Sequence, residues 1–155
     1  MSHILIIHDI RSVHNVGALF RTADSVGIDR IIISGYSPMP LDRFGRVRSD
    51  MAKSALGAER SVPWEYSENI IDTLNQLKND GYIVVGLEQD PRSVDYKTIT
   101  KSENMVFLPG TETIGLPPEL LQLCDIIAEI PMHGIKESLN VSVSAGILLY
   151  RVLDQ

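Results

Sequence analysis

The feature that most restricts the fold of this chain is a series of short, nearly uninterrupted apolar runs rich in β-branched residues. Runs of this length and composition are typical of strands buried on both faces, as in a parallel sheet. Ser61–Trp64 is a further, weaker candidate for a short strand. The predicted strands are His3–Ile7, Arg30–Ser34, Tyr82–Leu87, Met105–Leu108 and Ile126–Ile130.

Stretches with helical periodicity alternate with these runs. We predict helices over Asn15–Val26, Ser67–Asp80 and Leu139–Leu153, with Ser67 as an N-cap and Gly27 as a C-cap. The last helix is apolar almost all round, so we expect it to be buried. Strand–helix alternation predicts an α/β fold, a mostly parallel sheet flanked by helices, in a single domain over residues 1–155.

The charge balance restricts the possible partners. The net charge is −6, which argues against a general nucleic-acid binder, because neutralising phosphates requires Lys and Arg. One short stretch is locally basic, so any RNA contact should be local. We expect its basic side chains to contact an RNA backbone, with a solvated charged loop as the alternative. These residues are Arg43, Arg46, Arg48 and Lys53.

The sequence gives no support for a disulfide-bonded, membrane-spanning, secreted or metal-binding protein. The single cysteine, Cys124, cannot form an internal disulfide and is expected to be a buried small hydrophobe, as in a reducing cytosol. No apolar run is long enough to span a membrane, and His3–Ile7 is too short for a signal peptide. His8 and His14 belong to no metal-ligand pattern, so we expect no metal and a structural role for both.

Polar residues cluster after the first predicted strand. The segment Asp9–Gly17 lacks the glycine spacing of a dinucleotide-binding turn. Asn15 is a candidate N-cap, and Gly17 permits close approach of another backbone. Arg21 follows on the same helix. By itself, Asn15 is consistent with a plain helix cap as well as with a site residue. Arg21 is likewise consistent with a solvated helix arginine as well as with a site residue.

Two more loops follow later strands, at the edge where ligands bind in open α/β sheets. Gly110 and Gly115 bracket an acidic loop that leaves backbone groups free to meet a ligand. The segment Ile130–Gly146 passes directly into a helix that Ser138 or Asn140 can cap. The small residues Ser142, Ser144, Ala145 and Gly146 suit tight packing against another element or a partner subunit.

Together, these segments resemble the SpoU (TrmH) family of RNA methyltransferases, within the SPOUT superfamily. The resemblance runs from Ile4 to Tyr150. It rests on three motifs in order and on a further segment that many members carry. The motifs are Asn15–Ala23, Leu108–Gly115 and Ile130–Val143, and the further segment is Ser54–Ala58.

The resemblance implies a C-terminal trefoil knot, S-adenosylmethionine as cofactor, a cytoplasmic homodimer with the active site near the interface, and 2′-O-methylation of ribose in tRNA or rRNA. It also implies site residues. Cofactor contacts, mostly through backbone groups, are expected at Leu108, Gly110, Ile130, Met132 and Leu139. The implied catalytic cluster is Asn15, Arg21, Glu112, Ser138 and Asn140.

The chain departs from the family pattern at Thr111, where members usually have Asn. Threonine offers one hydroxyl in place of an amide, which puts the detailed loop geometry in doubt. The family proposal that Arg21 acts as base is chemically awkward, because a guanidinium stays protonated. We expect instead that Arg21 binds a phosphate and stabilises the developing alkoxide.

Two alternatives remain open from the sequence. One is methylation of a base or of another RNA position by the same fold. The other is a catalytically silent RNA-binding or ribosome-assembly protein, which Thr111 and the negative charge favour and the retained cluster disfavours. The sequence shows no additional RNA-binding domain, so we expect a small or pre-shaped RNA target, or help from another protein.

Overall fold

The structure is a computed structural model that describes residues 1–111 and 114–155. Its strands and helices alternate along the chain, as the sequence predicts. The strands are β1 Ser2–His8, β2 Arg30–Ser34, β3 Trp64–Ser67, β4 Ile83–Leu87, β5 Val94–Asp95, β6 Asn104–Pro109 and β7 Ile126–Glu129. The helices are α1 Val13–Val26, α2 Ser49–Ala55, α3 Ala58–Ser61, α4 Ile70–Asn79, α5 Pro118–Leu123 and α6 Val141–Leu153.

The seven strands given above join one sheet in the order β3-β2-β1-β6-β4-β7-β5, and neighbouring strands are parallel throughout. The predicted α/β fold with a parallel sheet flanked by helices is therefore confirmed. Because all strands run the same way, their carboxyl ends share one edge. The residues that follow β1, β4, β6 and β7 are brought together there.

Both faces of the sheet are covered, which explains why the strands are apolar without alternation. Ile7 and Ile33 pack on one face against α1, α2, α3 and α6. Ile6 and Ile32, one residue earlier, pack on the other face against α4 and α5. A strand buried on both sides needs an apolar residue at every position.

Two helix starts differ from the sequence prediction. Ser12, not Asn15, is the N-cap of α1, and its hydroxyl accepts a hydrogen bond from the Asn15 backbone N–H. Asn69, not Ser67, caps α4, because Ser67 is held in β3 by pairing with β2. The predicted C-cap is confirmed: Gly27 has φ +82° and ends α1.

Two predicted segments also differ. Ser61–Trp64 is not a strand, because α3 ends at Ser61 and the edge strand β3 begins at Trp64. The last helix begins at Val141, and its burial is incomplete. Val143 is 50% exposed and Tyr150 is 44% exposed, since none of the described residues covers that face of α6.

The two long loops contain structure that periodicity did not indicate. Between residues 35 and 50, Leu41 pairs with Val47 in an antiparallel bridge, and α2 follows from Ser49. Between residues 89 and 103 lie the two-residue strand β5 and a short 3₁₀ turn, Tyr96–Thr98. Such short elements depend on tertiary contacts rather than on their own sequence period.

No helix within residues 1–111 and 114–155 is long and apolar enough to cross a membrane. The same part of the chain holds no group of three or more His, Cys, Asp or Glu side chains that could bind a metal ion.

Candidate active site

A cleft of about 490 Å³ opens at the carboxyl ends of β4, β6 and β7, the edge at which open α/β sheets bind ligands. Its volume falls in the usual range for small-molecule sites. The described residues that line it are Asn15, Leu87, Glu88, Gln89, Gly110, Thr111, Glu129, Ile130, Met132, Ser138, Leu139, Asn140, Val141 and Ser144. All three sequence motifs contribute to one cleft.

Asn140 connects two of these motifs through its side chain. Its Oδ1 accepts hydrogen bonds from the backbone N–H groups of Ser142 and Val143, which caps α6. Its Nδ2 donates to Oδ1 of Asn15 over 3.1 Å, which ties the start of α6 to the buried third residue of α1. The Asn15–Asn140 pair thus sets two polar side chains at the cleft wall.

The glycines of the second motif make room for a carboxylate. Glu88 directly follows β4, and its Oε2 accepts the Leu116 backbone N–H over 2.8 Å. A Cβ on Gly115 would lie 2.0 Å from that oxygen, and one on Gly110 would lie 2.8 Å from it. Gly115 also has φ +70°. Both positions therefore exclude a side chain while Glu88 keeps this place.

Thr111 uses its hydroxyl to close the same loop. The hydroxyl donates to the Gly115 carbonyl over 2.9 Å and accepts from the Ile114 backbone N–H at 3.4 Å. A single hydroxyl is thus both donor and acceptor here, and the loop is closed without the amide that the family usually has.

The predicted cofactor residues are placed unevenly. Gly110, Ile130, Met132 and Leu139 line the cleft. Leu108 does not line it: its side chain is fully buried, and it packs among the residues beneath α4 and α5. The alternation of side chains along β6 directs Leu108 into that layer.

The predicted catalytic residues are also divided. Asn15, Ser138 and Asn140 line the cleft. Arg21 is exposed on α1 and is absent from the lining. Arg21 is six residues after Asn15, which on a helix means about 9 Å further along the axis and a different face. Glu112 lies outside the described residues.

Sequence reasoning missed several lining residues. Glu88 and Gln89 follow β4, Glu129 ends β7, and Val141 and Ser144 belong to α6. The sequence does carry a signal for Glu88 and Gln89. Both directly follow a predicted strand, and ligands in open α/β sheets bind at the carboxyl ends of strands. Gln89 also donates from Nε2 to the Glu137 carbonyl over 2.7 Å and so holds the 131–140 segment near the cleft.

The model of the SpoU rRNA Methylase family matches residues 2–150. The chain belongs to this family. The resemblance that the three motifs indicate is therefore confirmed.

Related SpoU proteins include enzymes and solved structures. The chain is 35% identical over 153 residues to the 23S rRNA (guanosine-2′-O-)-methyltransferase RlmB of Nitrosomonas europaea, covering 98% of the chain and 56% of that protein. An AdoMet-bound rRNA methyltransferase from Sinorhizobium meliloti is 30% identical, with TM-score 0.86, covering 97% of this chain and 55% of that one. The TrmH/SpoU tRNA modifying enzyme of A. aeolicus is 26% identical, with TM-score 0.85, covering 99% and 75%.

This SpoU chain spans 56–58% of the length of the curated relatives it matches. The match thus covers one part of each of those proteins.

The basic stretch of the SpoU chain is exposed apart from the half-buried Arg48, and it is partly paired. Arg46 donates to Asp42 over 3.2 Å, and Arg48 donates to Asp50 over 2.8 Å. The Arg43 guanidinium lies 4.8 Å from the centre of the Phe44 ring. Lys53 is exposed on α2. These side chains follow β2, at the same edge of the sheet as the cleft.

Two titratable groups outside the lining are perturbed by burial. Burial lowers the pKa of His8, while Asp9 raises it less; His8 Nδ1 also forms a hydrogen bond with the Ser34 hydroxyl, 2.8 Å apart. Burial raises the pKa of Cys124 to about 11, so this thiol is a weak nucleophile. Cys124 is buried, as the sequence predicts.

Proposed function

We propose that this SpoU domain transfers a methyl group from S-adenosylmethionine to a ribose 2′-hydroxyl of tRNA or rRNA. The observation that carries the proposal is the convergence of the three family motifs on one cleft, with the Asn15–Asn140 pair at its wall. The rRNA 2′-O-methyltransferase RlmB among the relatives supports ribose over base as the acceptor.

The residues of the cleft fit S-adenosylmethionine. Ile130, Met132 and Leu139 provide apolar surface for an adenine ring. The carboxylates of Glu88 and Glu129 complement a cationic ligand that also carries ribose hydroxyls. When bound, this cofactor supplies an electrophilic methyl group on a sulfonium.

The protein's own contribution is to position the acceptor hydroxyl and to stabilise charge that develops on it. Asn15, Asn140 and Ser138 offer amide and hydroxyl groups for orienting the ribose. Arg21 binds an adjacent phosphate and stabilises the alkoxide, and the proton leaves through a phosphate oxygen or water. A protonated guanidinium can serve both of its roles without acting as a base.

The position of Arg21 leads us to a dimeric site. Arg21 is outside the lining of the cleft in its own chain, and its neighbour Thr22 packs 3.5 Å from where a Gly146 side chain would begin on α6. The exposed stripe of α6 is apolar. Val143 and Tyr150 are seven residues apart and therefore lie on the same face of the helix. We propose that a second copy covers this stripe and that Arg21 of each subunit serves the cleft of the other.

We further propose the trefoil knot of the family and a cytoplasmic place of action, where tRNA and rRNA are found. For the knot, the supporting features are Gly110 and Thr111 after β6 and the 131–140 segment, which both contribute to the cleft, and the return of α6 from β7 to pack on α1. Single-molecule pulling tests the knot. A knotted chain stays shorter than its full contour length after unfolding, and extension to the full length would refute it.

The decisive test of the activity is incubation with labelled S-adenosylmethionine and separate tRNA and rRNA pools, followed by nucleoside analysis. We expect a 2′-O-methyl nucleoside from one pool. Label in a base would move the reaction to base methylation. RNA binding without S-adenosylmethionine binding or methyl transfer would establish the silent RNA-binding protein instead.

A further inference from the structure

The loop after β2 forms a small hairpin at its tip. Leu41 pairs with Val47, the Asp42 N–H donates to the Arg46 carbonyl over 2.8 Å, and the Gly45 N–H donates to the Asp42 carbonyl over 2.9 Å. Gly45 has φ +76°, a conformation that glycine adopts without strain. The backbone of the tip is therefore a defined turn.

Asp42 fixes this tip from within. Its carboxylate accepts the backbone N–H groups of Phe44 and Arg46 over 2.8 and 2.9 Å, and the Arg46 side chain over 3.2 Å. The backbone N–H of Arg46, with further help from Phe44, lowers the pKa of Asp42. The Phe44 side chain is thus presented from an ordered turn.

Phe44 is exposed at the tip and is flanked by cations. The side chain is 66% exposed. The guanidinium groups of Arg43 and Arg46 lie 4.8 and 5.0 Å from the ring centre. Both guanidinium groups lie over the ring, and aromatic and guanidinium planes of this kind stack on unpaired nucleobases.

A second platform of the same kind lies on the neighbouring loops. The Arg11 guanidinium, after β1, is 5.9 Å from the ring centre of Tyr36, which follows β2 and is 56% exposed. Since β1 and β2 are adjacent parallel strands, both platforms lie at the edge of the sheet that carries the cleft.

We propose that Phe44, with Arg43 and Arg46, stacks an unpaired base of the RNA whose ribose enters the cleft. The inference rests on the proposed function for its choice of RNA. Charge complementarity favours a nucleic acid over an apolar protein surface, because two arginines lie over the exposed ring in a chain of net charge −6. Stacking on a ring requires a base that is free of its duplex.

The test measures binding of a fluorescein-labelled 15-nucleotide RNA, as a single strand and as a blunt duplex, at several salt concentrations. The variants are F44A, F44L, F44W and R43A. We expect F44A and F44L to weaken single-strand binding by about fivefold or more and F44W to retain it. The matched apolar variant F44L separates stacking from simple hydrophobic contact.

The salt dependence separates stacking from phosphate contact. F44A should leave the slope of log affinity against log salt unchanged, whereas R43A should reduce it by up to about one unit. Equal binding by F44L and the wild type, a wild-type preference for the duplex, or a changed oligomeric state in F44A with RNA affinity unaltered would each overturn the inference.

Failure of the inference is distinguishable from failure of the proposed function. Wild-type protein that methylates RNA while F44A binds as tightly as wild type refutes the stacking role alone. Wild-type protein that binds single strands through Phe44 but neither binds S-adenosylmethionine nor transfers a methyl group refutes the activity and supports the stacking role. Circular dichroism of each variant confirms folding.

Discussion

Asn140 forms two kinds of hydrogen bond. Its side-chain carbonyl oxygen caps α6, and its amide nitrogen donates to Asn15. From sequence, capping and site roles look like alternatives for such a residue. The two ends of an amide make them compatible, because the oxygen and the nitrogen can serve different partners. Residue-scale predictions for this protein therefore need substitutions that remove one function and keep the other.

For Arg21, the substitution is Arg21→Lys, which keeps the charge and removes the planar fork. We expect kcat/KM for RNA to fall about tenfold or more, because a lysine cannot bind phosphate and alkoxide with the same geometry. S-adenosylmethionine affinity, measured by calorimetry, should not change, since the proposed contacts of Arg21 are to the RNA and it is outside the lining of its own cleft. Near-full activity would reject a role that depends on the guanidinium.

A substitution at Glu88 tests how this carboxylate supports the cleft. Both of its oxygens accept backbone N–H groups, from Leu116 and from Gln89. Glu88→Ala leaves the part-buried Leu116 N–H without this acceptor, at a cost of about 1–3 kcal/mol, whereas the exposed Gln89 N–H can bond water. S-adenosylmethionine binding should weaken by a corresponding factor, because the loop at Gly110 and Gly115 loses its anchor.

Glu88→Gln is the matched variant, as it keeps the size and one carbonyl oxygen but not two acceptors. Its cofactor affinity should lie between those of the wild type and Glu88→Ala. An Ala variant with unchanged affinity would show that the loop holds its shape without Glu88.

His8 predicts a pH dependence of stability. Burial lowers its pKa below the ordinary 6.5, so the unfolded chain takes up a proton as the pH falls through 6.5 while the folded chain does so only at lower pH. The stabilising contribution is thus present above pH 6.5 and is lost below it.

We expect His8→Gln to lose less unfolding free energy than the wild type between about pH 7.5 and about pH 5.5. Urea denaturation at both pH values measures the difference. An equal or larger loss in the variant would contradict the assigned direction.

At the scale of elements, α1 determines the layer that carries the site. It packs against α2 and α6 on one face of the sheet. The α1–α2 contact is close: a Cβ on Gly17 would lie 1.9 Å from the Ser54 hydroxyl oxygen and 2.8 Å from the Met51 carbonyl oxygen. The sequence-based expectation that Gly17 permits close backbone approach is confirmed.

Gly17→Ala and Gly146→Ala form a matched pair at this scale, one on each contact of α1. Gly17→Ala should destabilise the protein by about 1–3 kcal/mol, since the Met51 carbonyl is backbone and cannot turn away. Gly146→Ala meets only the Thr22 methyl group at 3.5 Å and should be neutral or stabilising by up to about 1 kcal/mol. Thermal unfolding compares them, and equal destabilisation would contradict the packing argument.

At the scale of the whole molecule, the exposed apolar stripe of α6 and the outlying Arg21 are consistent with a site made by two chains. Tyr150→Glu places a charge on that stripe. We expect it to shift the protein from dimer to monomer in analytical ultracentrifugation, because a carboxylate is costly to bury. Val94→Glu, at a similarly exposed apolar position on β5, should remain dimeric. A monomeric wild type would refute the dimer.

Mixing inactive variants tests which subunit supplies Arg21. Arg21→Ala and Asn140→Ser are each expected to be inactive, and Ser retains the capping ability of Asn. If Arg21 serves the partner's cleft, the mixed dimer contains one intact site and activity returns. Absence of recovery after confirmed subunit exchange would place Arg21 with its own cleft.

The class of fold and the family could both be predicted from the amino-acid sequence. Doubly buried strands such as β1 need an apolar residue at every position, and this local pattern survives in any context. The three motifs that contain Asn15, Gly110 and Asn140 are also local patterns. Their sequences alone therefore predicted that these residues line the cleft.

Which of two suitable residues takes a given position depends on tertiary contacts. Ser12 and Asn15 can both cap α1, and Ser67 and Asn69 can both cap α4; helix position and strand pairing selected between them. Glu88 becomes a loop anchor because folding places it beside Leu116, 28 residues away. Contacts between residues distant in sequence leave no local period. For that reason the cleft wall, the position of Arg21 outside the cleft lining and the exposed Phe44 platform could be seen only in the folded chain.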